Sequence, residues 1–136
     1  LKVSASQIPW DTDDGYREML PVMQSDIMLK KGDKTLVIDA KYYAHTTQKQ
    51  YNVNTLHSGN LYQIFTYVKN LDKENTGNVS GMLLYAKTDE MVLPNNSYKM
   101  GGNAISVKTL NLDCDFLEIR KQLDDIAIQH FDLENA

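Results

Sequence analysis

Apolar and polar residues alternate with the two-residue period of a β-strand on either side of a short polar segment. Residues 20–29 and 35–43 are therefore predicted strands, and the lysine-rich segment 30–34 between them has the composition of a turn. If Gly32 and Asp33 form a two-residue loop, with glycine supplying the positive φ of a type II′ turn, the lysines that flank them pair with each other. The pattern predicts one β-hairpin whose register is set by its turn.

Three ionisable side chains are predicted to meet on one face of this hairpin. Counting outward from the turn places Asp26 directly opposite Asp39, and strand alternation returns Lys41 to the face of Asp39, opposite Gln24. Like charges on opposed residues destabilise a strand pair, and the apolar neighbours on both strands indicate a mostly buried sheet. A bound cation would offset this cost, and Mg²⁺ is a hard divalent ion that binds carboxylate oxygens.

The spacing leaves a second interpretation open. A solvent-facing hairpin would carry Asp39 and Lys41 as a surface ion pair, which is common and contributes little to stability. A metal site would instead leave Lys41 to orient or deprotonate a metal-bound water. Both interpretations place Asp39 and Lys41 on one face, and they differ in whether that face is buried.

A helix is predicted over residues 58–71, where apolar residues recur at helical spacing. The apolar stripe comprises Leu61, Ile64, Phe65, Val68 and Leu71. Ser58 or Asn60 is expected to cap the first turn. Gln63 and Tyr67 are four residues apart and share one face beside the stripe, where the simplest interpretation is a polar pair at the helix margin.

The remaining pattern completes an α/β domain. Residues 79–87 form a strand that is apolar on both faces, as at the centre of a sheet, and residues 104–110 alternate like a half-exposed strand. A loop rich in Asn, Pro and Gly is predicted over residues 94–103, and residues 112–131 form an amphipathic closing helix. The order β-β-α-β-β-α predicts a central mixed β-sheet flanked by helices.

Length and composition fit one modest domain. The 136 residues are 42% hydrophobic and contain no internal repeat and no apolar run of membrane-spanning length, so no membrane partner is expected. Residues 1–18 have the composition of a loop, and the chain begins without methionine, so we expect a fragment that lacks an upstream N-terminal region. Cys114 is the single cysteine, as expected for a protein of the reducing cytoplasm.

The charge balance argues against an independent DNA-binding domain. Fourteen basic and eighteen acidic residues give a net charge of −4, whereas phosphate binding depends on clustered lysine and arginine. Lys30, Lys31 and Lys34 are concentrated at the hairpin tip, where they either touch a phosphate backbone or form an ordinary solvated turn. The sequence shows no zinc finger, helix-turn-helix or aromatic stacking platform, so recognition of DNA is expected to lie with a partner.

Asp26 and the run Asp39-Ala40-Lys41, separated by twelve residues, resemble the PD-(D/E)xK nuclease signature. The segments LPVMQSDIML, KTLVIDAKYY and GNLYQIFTYVKN are similar to the nuclease region of McrC, the cleavage subunit of McrBC-type 5-methylcytosine-dependent restriction systems. The resemblance extends from about Ile8 to Leu71. It implies that residues 1–136 are a single domain with a PD-(D/E)xK restriction-endonuclease-like core.

The resemblance also implies roles for individual residues. Asp26 and Asp39 would hold Mg²⁺, or Mn²⁺ in its place, together with the backbone carbonyl of Ala40, and Lys41 would position the attacking water. Gln63 and Tyr67 match the Q-x-x-x-Y pair that lies beside the catalytic centre in RecB-like members of the superfamily. The acidic residues upstream of the hairpin are Asp11, Asp13, Asp14 and Glu18. None of these four lies in a predicted helix, so no third carboxylate ligand is assigned.

The function implied by the resemblance is a metal-dependent endodeoxyribonuclease that cleaves DNA phosphodiester bonds within a McrBC-like complex. DNA and a McrB-like AAA+ GTPase are the implied partners, with the GTPase supplying translocation and recognition. Two alternatives stay open: a RecB-like exonuclease or repair nuclease with the same core, and a non-catalytic scaffold that docks on the GTPase. An exonuclease would differ from the proposed endonuclease in needing a strand end for cleavage. A scaffold would differ in lacking metal binding that is lost on Asp39→Ala.

Overall fold

The computed structural model describes residues 1–42, 47–50, 53–86 and 95–133. The strands are β1 (Lys2–Ser4), β2 (Gln7–Ile8), β3 (Met23–Gln24), β4 (Ile27–Lys31), β5 (Lys34–Lys41), β6 (Thr47–Gln50), β7 (Val53–Leu56), β8 (Val79–Ala86), β9 (Asn96–Met100) and β10 (Asn103–Leu110). The helices are α1 (Ser58–Leu71) and α2 (Phe116–Phe131). In this part of the chain, neither helix is long and apolar enough to cross a membrane.

Six strands of the described residues form one mixed sheet in the order β1-β4-β5-β8-β10-β9. Strands β5, β8 and β10 run parallel at its centre, whereas β4 and β9 pair antiparallel with β5 and β10. Parallel neighbours require a crossover connection, and α1 lies in the crossover between β5 and β8. The pairs β2–β3 and β6–β7 are small and separate from this sheet. The centre of the sheet therefore includes β5, the strand that carries Asp39 and Lys41.

The two faces of the sheet are covered by different helices. Val37 of β5 and Leu83 of β8 pack with Ile64 and Val68 of α1. Residues of opposite parity on the same strands pack with Phe131 of α2, and these residues are Leu36, Ile38, Met82 and Leu84. Removal of both faces from water is the main stabilising contribution to such a layered structure. The predicted α/β class, a central mixed sheet flanked by helices, is confirmed.

The hairpin turn forms as predicted. Gly32 has a φ of 61°, the sign that the first central position of a type II′ turn requires. Lys31 pairs with Lys34, and the antiparallel ladder continues outward as far as Ile27 and Ile38. The turn therefore sets the register of β4 against β5.

The first arm of the hairpin differs from the prediction of one strand over residues 20–29. It is divided into β3, which pairs with β2, and β4, with Ser25 and Asp26 between them. At the break, an Asp26 carboxylate oxygen accepts the backbone N–H of Ala40 at 2.8 Å. This side chain replaces the backbone acceptor that a longer β4 would have offered, so the N–H group stays satisfied without a ladder bond.

Two stretches predicted as loops contain strands. Within residues 1–18, β1 pairs with β4 at the edge of the sheet and β2 pairs with β3. Within residues 94–103, β9 pairs antiparallel with β10. These edge strands are short and polar, so their patterns lack the apolar alternation that identifies a half-buried strand.

The helix boundaries were predicted with mixed success. The bounds of α1 are confirmed, but its N-cap is His57, without a side-chain cap, instead of Ser58 or Asn60. Helix α2 begins at Phe116, after an N-cap at Asp115 whose carboxylate accepts the N–H of Glu118, and not at residue 112. The predicted strand ends at Tyr43 and Lys87, and the predicted loop start at Pro94, lie outside the described residues.

Gly81 of β8 lies directly beneath two side chains of α1, and Gly81→Ala is expected to destabilise the protein. An added Cβ would lie 2.7 Å from Ile64 Cγ1 and from Val68 Cγ2. Both neighbours are β-branched and fully buried, so the helix has to shift, at a cost of about 1–3 kcal/mol. Urea unfolding measures this loss. The control is Gly59→Ala in α1, where nothing lies within 4 Å of the new Cβ and a gain of about 0.5–1 kcal/mol is expected. Equal effects of the two substitutions would contradict this packing.

A buried carboxylate joins the end of α1 to the strands that follow. Asp72 accepts hydrogen bonds from Thr76 N (2.9 Å), Thr76 Oγ1 (3.0 Å), Gly77 N (3.0 Å) and Asn103 Nδ2 (2.9 Å). Asn103 Nδ2 also donates to the carbonyl of Val79 at 2.8 Å, and Lys69 Nζ donates to Asn103 Oδ1 at 2.9 Å. Desolvation opposes the charge of Asp72, but the hydrogen bonds from Asn103, Gly77 and Thr76 lower its pKa to about 2. Asp72 therefore fixes the α1–β8 connection as a charged acceptor.

Candidate active site

Asp39 and Lys41 lie at the C-terminal end of β5, on the face of the sheet that α1 covers. The residues alternate in phase with Val37, which packs against that helix. Lys41 Nζ lies 2.8 Å from Asp39 Oδ2, and the two side chains are 16% and 6% exposed. This burial excludes the solvent-facing hairpin that the sequence left open, because an exposed ion pair would have most of its surface in water.

Asp26 reaches the same end of β5 from outside the ladder. Its carboxylate holds the N–H of Ala40, the residue between Asp39 and Lys41. The predicted direct pairing of Asp26 with Asp39 is wrong, since the ladder ends one residue earlier at Ile27 and Ile38. The predicted position of Lys41 opposite Gln24 is also wrong, because Gln24 pairs with Gln7 in the separate β2–β3 sheet. The bend at Asp26 nevertheless brings its carboxyl group beside Asp39.

The carboxyl group of Asp39 is in an unfavourable environment for a negative charge. Burial raises its pKa, the ion pair with Lys41 lowers it, and the neighbouring carboxyl of Asp26 raises it again, so that the net pKa is above the ordinary value of 3.8. Asp39 and Lys41 are thus largely withdrawn from water, whereas the carboxyl group of Asp26 lies beside them on an exposed residue. A second positive charge would compensate the second carboxylate.

Gln63 and Tyr67 of α1 extend the site across the gap between helix and sheet. Lys41 Nζ donates to Gln63 Oε1 at 2.6 Å, and Gln63 Nε2 donates to Tyr67 Oη at 2.8 Å. Their spacing of four residues aligns them on one face of α1, and Tyr67 is buried. All the side chains predicted for the site therefore lie at one end of β5. Gln63 is more than a polar residue at the margin of the helix, because it binds the Lys41 ammonium group.

Asp39 has the properties of a cation ligand. Its Oδ2 atom is buried and accepts no hydrogen bond of normal geometry in the described part of the chain, although Lys41 lies beside it. An ionised oxygen with spare lone pairs in such a place suits a hard divalent ion. Among residues 1–42, 47–50, 53–86 and 95–133, no group of three acidic, histidine or cysteine side chains is close enough to form a complete metal cage. A metal bound here would rely on Asp26, Asp39, backbone oxygen and water.

The upstream acidic residues do not supply a third ligand to this cluster. Asp11, Asp13, Asp14 and Glu18 are exposed in the segment between β2 and β3. The backbone N–H of Asp11 is bound by Asn70 Oδ1 at the C-terminal part of α1, and Glu18 accepts from Tyr16 Oη. The lysines of the hairpin tip are also exposed, at the opposite end of β5 and about five residues, roughly 17 Å, from Asp39.

Sequence reasoning missed one polar pair beside the site. Asn60 Nδ2 donates to Tyr85 Oη at 2.8 Å, and both residues are buried. Asn60 was expected to cap α1, and Tyr85 was one residue of an apolar strand. The available signal was the spacing of Asn60 and Gln63, which lie three residues apart and so on one face of the helix.

Comparison with known proteins finds a family model and a relative that are similar to this chain. A family model described as "McrBC 5-methylcytosine restriction system component" matches residues 13–86, which contain α1 and the six strands β3 to β8. The chain is also 35% identical over 124 residues to a protein of Escherichia coli (strain K12) described as "Type IV methyl-directed restriction enzyme EcoKMcrBC". That match covers 89% of this chain and 35% of the E. coli protein.

Proposed function

The chain belongs to the family of McrBC 5-methylcytosine restriction system components, and on this premise we propose that it is the DNA-cleaving nuclease module of such a system. Its fold is proposed to be the PD-(D/E)xK restriction-endonuclease type, and its reaction the metal-dependent hydrolysis of DNA phosphodiester bonds. Asp26, Asp39 and Lys41 are the proposed catalytic residues, and Gln63 and Tyr67 support them.

The observation that carries the proposal is the buried Asp39–Lys41 ion pair at the end of β5, with the exposed Asp26 beside it. Asp39 is 4% exposed, its pKa is raised by burial, and a second carboxyl group stands beside it. A purely structural role would be met at lower cost by apolar residues, since buried charges stabilise a fold weakly or not at all. The arrangement fits a site that binds a divalent cation and acts on an anionic substrate.

The residues present divide the catalytic work among them. Asp26, Asp39 and the Ala40 carbonyl would hold Mg²⁺ or Mn²⁺, which would supply positive charge to stabilise the phosphate as it reacts and to make water a better nucleophile. Lys41, held by Asp39 and Gln63, directs its ammonium group to the attacking water or to the phosphate. Tyr67 fixes the amide of Gln63 and so the orientation of its oxygen.

Delivery of DNA to this site is proposed to depend on partners. The net charge of −4 gives no general attraction to phosphate. The E. coli relative is described as a methyl-directed restriction enzyme, and this chain spans 35% of its length. We therefore place methylcytosine recognition and GTP-driven translocation in a McrB-like AAA+ GTPase, with cleavage assigned to this chain.

Titration of Mg²⁺ or Mn²⁺ into the protein tests the site directly. A ligand that binds only the folded state raises the unfolding temperature by mass action, so millimolar metal is expected to raise the melting temperature of the wild-type chain. The double variant Asp26→Asn/Asp39→Asn should lose this rise, and Asp124→Asn, which changes an exposed carboxylate on α2, should keep it. The metal site would be refuted if metal left the melting temperature of the wild-type chain unchanged. It would also be refuted if metal raised the melting temperature of the double variant.

Cleavage assays on the reconstituted complex then separate this nuclease from its alternatives. An endonuclease cuts covalently closed circular DNA, whereas an exonuclease needs a strand end. A scaffold would leave both substrates intact and would bind no metal at Asp39. Methylated circular DNA, with GTP and Mg²⁺ present, is therefore the substrate that tests the proposal.

A further inference from the structure

Asn60 of α1 and Tyr85 of β8 join the helix to the sheet beside Lys41. Their hydrogen bond of 2.8 Å lies in the interior, where Tyr85 is fully buried and Asn60 is 8% exposed. Buried hydroxyl and amide groups need partners, and this bond provides one for each. Because the bond crosses from helix to sheet, it fixes the distance between the two elements at this point.

The Asn60–Tyr85 bond runs alongside the bond between Gln63 and Lys41. Tyr85 is the register partner of Lys41 in the parallel β5–β8 ladder, so these two side chains stand side by side on one face. Asn60 precedes Gln63 by three residues, one turn earlier on the same face of α1. Two neighbouring hydrogen bonds thus span the same gap, and a sliding of the helix would disturb both.

The first turn of α1 lacks two features that commonly fix a helix N-terminus. Its N-cap residue, His57, makes no side-chain capping bond, and the turn contains no acidic residue. Asn60 supplies a restraint on the position of this turn over the sheet that does not depend on capping. Gln63 lies in the next turn of the same helix, so its position over the sheet depends on the position of the first turn.

We propose that Asn60 and Tyr85 are positioning residues, whose hydrogen bond holds α1 at the height at which Gln63 orients the Lys41 ammonium group. The effect on rate rests on the proposed nuclease function, whereas the effect on the geometry at Lys41 does not. A catalytic group displaced by about 1 Å can lose on the order of 10²-fold in rate. Loss of the bond therefore acts on the chemical step, and metal binding by Asp26 and Asp39 is left in place.

NMR spectroscopy of the chain tests the geometry without reference to catalysis. In protein labelled at lysine ¹³Cε and glutamine ¹⁵Nε2, Tyr85→Phe and Asn60→Ala are each expected to move the resonances of Lys41 and Gln63. The matched control is Tyr62→Phe, which removes an exposed hydroxyl from the same helix and should move neither. If both resonances stay in place in the two variants, the proposal is overturned, whatever reaction the protein catalyses.

Kinetics of the full-length protein with its GTPase partner provide the second test. Asn60→Ala and Tyr85→Phe should each lower the single-turnover cleavage rate at saturating DNA by about tenfold or more, with no rise in KM. Combined with Gln63→Ala, neither should lower the rate further, because both act through Gln63. Rates that multiply would overturn the positioning role. If the resonances move but wild-type protein cuts no DNA, the proposed function fails and the positioning bond stands.

Discussion

Asp39→Asn is expected to abolish DNA cleavage, by roughly 10³-fold or more, in a protein that remains folded and melts no lower than wild type. The amide keeps the shape of the carboxyl group but brings no charge to the metal. The pKa of Asp39 is raised in the folded state. At a pH above the raised pKa, ionisation of Asp39 in the folded protein lowers the free energy of unfolding. At a pH below the ordinary value of 3.8, Asp39 is protonated in the folded and the unfolded state, so it has no such effect. At neutral pH the substitution removes this cost.

The measurement is a pair of assays on the same preparation, cleavage by the reconstituted complex and thermal unfolding of the chain without metal. Lys41→Ala is the informative companion, because its ammonium group is no metal ligand: cleavage should be lost and calorimetric Mg²⁺ binding retained. Full cleavage by Asp39→Asn would remove Asp39 from the mechanism. Loss of metal binding in Lys41→Ala would make Lys41 a structural support of the site.

Asp72→Ala is expected to lower the free energy of unfolding at neutral pH by about 3 kcal/mol. The substitution leaves the N–H groups of Thr76 and Gly77 without their acceptor, and hydrogen bonds to a charged group contribute more than neutral ones. Urea unfolding gives the value. The control is Asp124→Ala, whose side chain is 64% exposed and lies 4.0 Å from Arg120, and which should change stability by less than about 0.5 kcal/mol.

The contribution of Asp72 should also depend on pH in a defined direction. Its pKa is lowered to about 2 in the folded state, from an ordinary value of 3.8. The stability that comes from its charge, on the order of 2 kcal/mol, is therefore fully present above pH 3.8 and is lost as the pH falls through about 2. Wild type and Asp72→Ala should thus converge between pH 4 and pH 2. A difference that stays constant over this range would show that shape, and not charge, makes Asp72 necessary.

The parts of the fold that were predictable from the sequence are those decided by local chemistry. Gly32 specifies its turn, and the turn specifies the β4–β5 register. The apolar repeat specifies the bounds of α1. The absence of charged residues and of polar alternation over residues 79–86 indicates a central strand, and both faces of that strand are buried. In each of these cases the conformation that the short segment prefers by itself is the conformation that it adopts in the complete fold.

The parts that were not predictable depend on partners distant in the chain. Asp26 leaves the ladder because its side chain binds a backbone N–H fourteen residues away, which no periodicity records. Asn60 bonds Tyr85, twenty-five residues further on, instead of capping its own helix. The short strands β1 and β9 exist only because an edge of the sheet is available to pair with them. For the site, the sequence indicated which residues meet, but not the geometry of the meeting.

The bond between Asp26 and the backbone of Ala40 has a consequence for any redesign of this protein. One carboxylate oxygen replaces a strand acceptor, so the residue serves the architecture of the hairpin as well as any ligand. Asparagine keeps an oxygen for that N–H group, whereas alanine would remove the acceptor and loosen the strand that carries Asp39 and Lys41. An engineer who wants an inactive but intact scaffold should therefore choose the amide at this position. In a library with all amino acids at position 26, a variant can lose activity because the strand is distorted, and the assay would not distinguish this from loss of a ligand.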